Sequence, residues 1–351
     1  MRIRSFSVLL FLVLLSCSCN NKGGKEQVSS FVFITREADK KLDVLIDNKL
    51  FTTFYWPDSV YKPVLYPVYA SSGTEITRGF PLNPRRGEQV DHLHQVGIWL
   101  NYGNVNGFDF WGNGYRGVKE PNGGVIKHIR IERISSKNGE GSFTSVENWL
   151  DPSGQRLLTE KTGYHFIAKG SVRIIDRITT LKAGDTAVVF KDTKEGMFAI
   201  RVARQLELPS PQGIILIDST GNPSKEKDTL NTGVTGNYLS SEGITGDGVW
   251  GTRAKWMDLF GDIGDEKISL VICDHPKNPG YPTYWHARGY GLFSANPLGW
   301  NDFTKGKEVF GFSIPPKKSA TFRYRVIISS GAHLTTSEIN AFSDDFSKKY
   351  K

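Results

Sequence analysis

The sequence predicts an all-β fold: one large antiparallel two-sheet sandwich with a C-terminal helix. Three observations carry this. Alternating or β-branched runs recur along the chain. The 37 Gly and 16 Pro punctuate them with turns. No internal repeat of about 20–50 residues is present, so a propeller or solenoid is not indicated.

The elements follow in chain order. Residues 1–16 read as a lipoprotein signal peptide. Arg2 and Arg4 precede an apolar run from Phe6 to Leu15, broken only by Ser7 and too short to span a bilayer. The run ends Leu14-Leu15-Ser16-Cys17, the pattern of a bacterial lipobox, with Cys17 as the expected lipidation site. Residues 17–27 are polar and read as a flexible tether, and residues 28–351 as a single sandwich domain. Strands are expected at Ser29–Thr35, Leu42–Ile46, Val64–Tyr69, Val125–Ile134 and Ser142–Trp149. Others are expected at Ser171–Leu181, Ala187–Lys191, Phe198–Arg204, Ile268–Cys273 and Thr321–Ser329. In Val172–Leu181 the alternation predicts one wet face. Pro209–Thr232 reads as a long loop within the domain. Thr336–Lys349 opens with a Thr/Ser cap followed by Glu338, and Ile339, Phe342 and Phe346 fall at helical spacing.

Composition bounds the function. The chain carries 44 Lys+Arg against 36 Asp+Glu, but the excess is scattered, so no nucleic-acid partner is expected. Three cysteines exclude a disulfide framework. There is no phosphate-binding glycine loop and no G-x-S-x-G or H-E-x-x-H motif. No organic cofactor is expected.

Three segments look chemical. In Asp91–Asn113, His92 and His94 stand two apart and would share a face if this were a strand. Such a pair suits proton transfer or a divalent metal, and a metal at His92 and His94 stays open as an alternative. Asp109 lies nearby, and Trp99 and Trp111 offer flat surfaces for a sugar ring. In Asp192–Arg201, Glu195 or Arg201 would project into the same cavity; a solvated turn is the plainer alternative. Asp274–Gly299 holds Trp285, His286, Arg288 and Asn296 among glycines and prolines, poor material for a core. Glu242–Trp256 is a candidate rim loop. His128 and His165 read as structural, and His333 as an exposed turn residue.

These segments also carry a resemblance. Leu65–Leu82 (LYPVYASSGTEITRGFPL), Asp91–Trp99 (DHLHQVGIW), Asn106–Gly112 (NGFDFWG), Asp192–Ala203 (DTKEGMFAIRVA) and Tyr284–Gly299 (YWHARGYGLFSANPLG) resemble the PmoA-like family of unknown function. The family label mentions methane oxygenase, but a mature chain without an apolar stretch of about 20 residues does not suit membrane methane oxidation. The resemblance implies an exported protein of glycan-degrading bacteria and a galactose-mutarotase-like supersandwich that binds carbohydrate. Where the family's first motif runs His-x-His-His-Arg, Gln95 and Val96 follow His94 here.

The leading expectation is therefore a lipid-anchored carbohydrate-active protein at the periplasm or outer membrane, touching the membrane through its anchor only. It would do acid/base chemistry on a sugar or glycoside as an epimerase, lyase or hydrolase. His92, His94, Glu195 and His286 would be catalytic. Trp99, Asp109, Trp111, Arg201, Trp285, Arg288 and Asn296 would bind substrate. The alternatives are a non-catalytic glycan-binding lipoprotein and a metal-dependent enzyme using the His92/His94 pair.

Overall fold

The computed structural model describes residues 28–137 and 139–350. The expected signal peptide, Cys17 lipidation site and tether lie outside the described residues. Strands run β1 (Phe31–Arg36), β2 (Lys41–Ile46), β3 (Lys49–Tyr55), β4 (Val64–Val68), β5 (Ile98–Tyr102) and β6 (Val125–Lys137). Next come β7 (Glu140–Leu150), β8 (Arg156–Lys169), β9 (Val172–Ala183), β10 (Val188–Phe190), β11 (Gly196–Arg201) and β12 (Asn237–Ser240). The remainder are β13 (Trp256–Ile263), β14 (Glu266–Asp274), β15 (Tyr284–Ala287), β16 (Leu292–Asn296), β17 (Phe312–Ile314) and β18 (Ser319–Ser330). Two helices, α1 (Trp300–Phe303) and α2 (Thr336–Lys349), complete the described elements longer than a 3₁₀ turn.

The strands form two antiparallel eight-stranded sheets and a small two-stranded one, β10–β17. Sheet one runs β1-β2-β3-β4-β5-β11-β16-β15, and sheet two β12-β13-β14-β18-β9-β8-β7-β6. The expected two-sheet sandwich with a C-terminal helix is the fold observed. Every strand expected from alternation has a counterpart. The strands β3, β8 and β13 are not among those expected, and short strands in glycine- and proline-rich stretches, β15 and β16 above all, carry no alternation that reveals them.

Side-chain parity organises the layers. In sheet two, Ile268, Leu270 and Ile272 of β14 and Tyr324, Val326 and Ile328 of β18 face the core between the sheets. Val271, Cys273 and Ile327 face the other way, against Ile339 and Phe346 of α2. The helix has the expected bounds, but its cap is Thr335, one residue before the expected Thr/Ser pair: Thr335 and Glu338 form a reciprocal capping box.

That helix overturns the expected wet face. Asp176 of β9 and Arg325 of β18 are fully buried. Arg325 grips both oxygens of Asp176 at 2.6 and 2.9 Å, and its remaining amino group reaches Asp345 and the Phe342 carbonyl at 2.8 and 2.9 Å. Asp176 and Arg325 stand on that face because the helix brings Arg325 further partners, and elsewhere on β9 Arg177 and Thr179 are met by Glu160 and Thr162 of β8 rather than by water. His333 is half-buried rather than exposed, against the Gly261 carbonyl at 3.2 Å.

Candidate functional site

Sheet one has the same parity, with a different cover. Ile98, Leu100, Phe198, Ile200, Trp285, Phe293 and Ala295 point into the core. The opposite face carries a cross-strand row: Trp99 pairs with Ala199, Ala199 with Ser294, and Ser294 with His286. Two small residues between two large ones leave a trough. Trp111 lies along it, its ring 5.5 Å from Trp99 and stacked on His286 at 6.3 Å and 20°.

Above this row opens a cavity of about 500 Å³. His92, His94, Asp109, Trp111, Glu195, His286 and Arg288 of the expected set line it, with Gln95, Tyr115, Lys194 and Tyr290. Three segments distant in sequence thus meet on one face. The other expected binding residues do not line it. Trp285 is one residue out of phase with His286 and buried in the core, where its Nε1–H donates to the Ala254 carbonyl. Trp99 is on the correct face but is covered by Trp111. Asn296 is buried and donates to the Thr193 carbonyl at 2.9 Å, and its side-chain oxygen accepts from the Leu298 amide. Arg201 lies buried beneath the cavity.

The His92–His94 segment is not a strand. His92 has φ +41°, and the Gln95 amide donates to the His92 carbonyl at 2.9 Å, closing a turn. The rings share the cavity because the turn folds them together, with centroids 5.8 Å apart. Buried arginines hold this turn. Arg78 donates to the His92 and Gln95 carbonyls at 3.0 Å each, and to the Asp91 carboxylate. Arg201 donates to Asp91 and to the Gln95 side chain at 2.7 Å each. Gln95, the departure from the expected motif, thus joins Asp91 in tying the turn to Arg201.

These charges set the protonation of the site. Burial alone would raise the Asp91 carboxyl, but Arg201, the His92 hydrogen bond and Arg78 outweigh it and hold it below the usual carboxylate range. Asp91 in turn engages His92 Nδ1 at 2.6 Å. Burial pushes His286 down to about 4, against the pull of Glu195. Burial, then Lys62 and the neighbouring cations, depresses His94 well below its ordinary value. Both rings are therefore neutral bases at pH 7, and each has a buried Nδ1 without a partner in the protein. Burial raises the Asp109 carboxyl, although the Gly112 and Trp111 amides both donate to it at 2.8 Å. Glu195 is half-buried beside Lys194. Its backbone approaches so closely that a Cβ at Gly103 would lie 2.7 Å from the Glu195 Cβ. That glycine serves strand packing rather than contact with a ligand.

Several residues at this site carry no signal that strand periodicity can read. Lys62 is buried, donates to the His94 carbonyl at 2.6 Å and lies over Trp99. Burial brings its ammonium down to about 7, partly opposed by Asp109. Its one sequence mark is a lysine set between apolar Val60 and Val64. Arg78 and Tyr290 lie inside the family-like motifs, which is the signal that could have found them. Tyr290 stacks on His92 at 4.9 Å and 4°. Among the described residues, no three His, Cys, Asp or Glu side chains gather as a metal would need. The candidate rim loop Glu242–Trp256 does not reach this cavity; its Asp247 and Trp250 line a neighbouring one.

Comparison with known proteins gives a family and distant folds. The profile of the "Family of unknown function (DUF6807)" matches residues 41–344. Nothing supports the PmoA-like label that the motifs suggested. A search of curated proteins found no match. Among solved structures, the galactosidase domain of an alpha-galactosidase-sucrose kinase aligns with 86% of this chain at 10% identity and TM-score 0.35, and the chain spans 42% of that one. A protein from Synechocystis sp. PCC 6803 aligns with 86% of this chain and 96% of its own at 9% identity and TM-score 0.31. A galactose mutarotase related enzyme from Lactobacillus acidophilus aligns with 86% of this chain and 97% of its own, at 9% identity and TM-score 0.28.

Proposed function

The chain belongs to the DUF6807 family of unknown function, and from that premise we propose that it is a carbohydrate-active protein performing acid/base chemistry on a sugar. The observation that carries the reading is the cavity over sheet one. Two neutral, buried histidines and a carboxylate converge there, beside the exposed ring of Tyr115. A sugar offers an apolar ring face for such walls and hydroxyl or C–H protons for such bases.

His286, a neutral ring lining the cavity, is the proposed general base, and His94 a second one. Glu195 is the partner carboxylate that supports an imidazolium as it forms. Asp91 holds His92 by Nδ1 and so directs the other ring nitrogen away from itself. Arg288 binds substrate oxygens. Epimerisation, elimination and hydrolysis all fit such a set. The chain is further proposed to be exported and anchored through Cys17, a reading supported by the Leu-Leu-Ser-Cys boundary. Cys17→Ala should then move the protein out of the membrane fraction; unchanged partition would refute the anchor.

The test of the site is to incubate the protein with sugars, keto-sugars and glycosides and follow products by mass. His286→Ala and His94→Ala should each lower turnover by about 100-fold with the fold intact, the usual loss for a general base. If the parent turns nothing over yet binds sugars through this cavity, it is a glycan-binding protein.

A further inference from the structure

A second cavity of about 470 Å³ adjoins the first, and Arg288 and Tyr290 line both. The partition is the β15–β16 hairpin loop, Arg288 to Gly291. The Arg288 amide donates to the Leu292 carbonyl at 2.8 Å, and the Gly291 amide to the Arg288 carbonyl at 3.0 Å. Gly289 packs so tightly that a Cβ there would lie 3.0 Å from Asp247 Oδ1 and 3.4 Å from the Leu208 Cβ. The wall between the cavities is therefore little more than backbone and two side chains.

Those two side chains differ. Tyr290 is fixed between His92 and the Arg201 guanidinium, 4.9 Å from its ring. Arg288 is exposed and has no ion-pair partner or side-chain hydrogen bond among the described residues. It is braced between Trp250 and Tyr290, 5.7 and 6.0 Å from their ring centres. The other arginine lining the second cavity, Arg204, is already committed to Glu207 at 2.6 Å. A guanidinium held between aromatic faces with all its donors unspent suits a carboxylate or sulfate, which takes two of them at once. Beyond it, the second cavity mixes the flat face of Trp250 and apolar Leu208 with polar Gln212 and Asp247, a lining suited to a second sugar ring.

We propose that the two cavities are adjoining subsites for one acidic glycan of at least two sugar units, with Arg288 holding a carboxylate or sulfate at their junction. This rests on the carbohydrate reading of the first cavity. The test is calorimetric titration of the protein with hexoses, hexuronates and sulfated hexoses, each as monomer, dimer and tetramer. Acidic dimers and tetramers should bind at least about tenfold tighter than their monomers, a gain of about 1.4 kcal/mol. Gln212→Trp fills the second cavity from an exposed position away from the histidines; it should abolish that gain and leave monomer binding unchanged. Arg288→Gln should remove the preference for acidic over neutral oligomers, and the uronate and sulfate series tell which anion is held. Equal binding of monomer and dimer, or a length gain that survives Gln212→Trp, overturns the two-subsite arrangement. Equal binding of neutral and acidic oligomers overturns the anion. If no sugar binds, the carbohydrate reading itself falls.

Discussion

The outer faces of the two sheets both bury charge, and they treat it differently. On sheet two, α2 closes over Asp176 and Arg325, and the donors of Arg325 and both oxygens of Asp176 find partners. On sheet one, Arg78, Asp91 and Arg201 are similarly interlocked, but His94 and His286, which line the cavity above them, each keep a buried Nδ1 without a partner. A fully satisfied buried network rigidifies a fold, whereas an unsatisfied one in a cleft has capacity reserved for something else. The contrast holds for these two clusters and not for every buried group, since His275 Nε2, beside Phe346 of α2, and His128 Nε2 also lack a partner; burial alone does not draw it, since His286 and Arg325 are almost equally buried.

The largest effect expected from breaking this contrast lies on sheet two. Arg325→Ala leaves Asp176 buried without its counter-charge and should cost about 3–5 kcal/mol in denaturant unfolding. A sharper test concerns His286. Its ring, followed by NMR, should stay neutral at pH 6 and titrate near 4. The fold favours the neutral ring, so its contribution to stability is present above the unfolded value of 6.5 and is lost as pH falls from there to about 4. Any turnover that uses it as a base should fail as pH falls through about 4, not through 6.5. Because burial is the main cause, Trp111→Ala should bring water to the ring and move its midpoint back toward 6.5; an unmoved midpoint would mean that Trp111 does not set its environment. The smallest effect is Asp345→Ala. That carboxylate is 59% exposed in its pair with Arg325, so its loss should cost no more than about 1 kcal/mol.

Much of this was legible in sequence. Alternation marks most of the long strands because each has one face on a core, although β8, the longest, and β13 are not among those expected, and the spacing of Thr336–Lys349 marks α2. The segments around His92, Glu195 and His286 stand out because titratable, aromatic and glycine residues crowd there. Parity was not legible. Trp285 and His286 are neighbours that face opposite ways, and only the pairing of β15 with β16 says which faces the site. Trp99 is lost for a different reason: a residue twelve positions later in the chain lies on top of it. Lys62 was missed because its role comes from contact with the His92–Gln95 turn and not from any local pattern, and Arg78 because strand periodicity says nothing of it, although it lies inside a family-like motif.

The pairing that builds the trough also bears on how the protein assembles. In sheet two, β6 to β9 are successive hairpins, each closed by a short connection. In sheet one, β5 must find β11 and β11 must find β16 across about a hundred residues each. Closing long loops costs more entropy before any contact repays it. The hairpin meander is therefore expected to acquire protection from hydrogen exchange first, and the four strands beneath the histidines later. A chain caught between those stages would have most of its secondary structure and no site at all. Damage to the long-range register of sheet one would then register as lost binding well before it registers as lost fold.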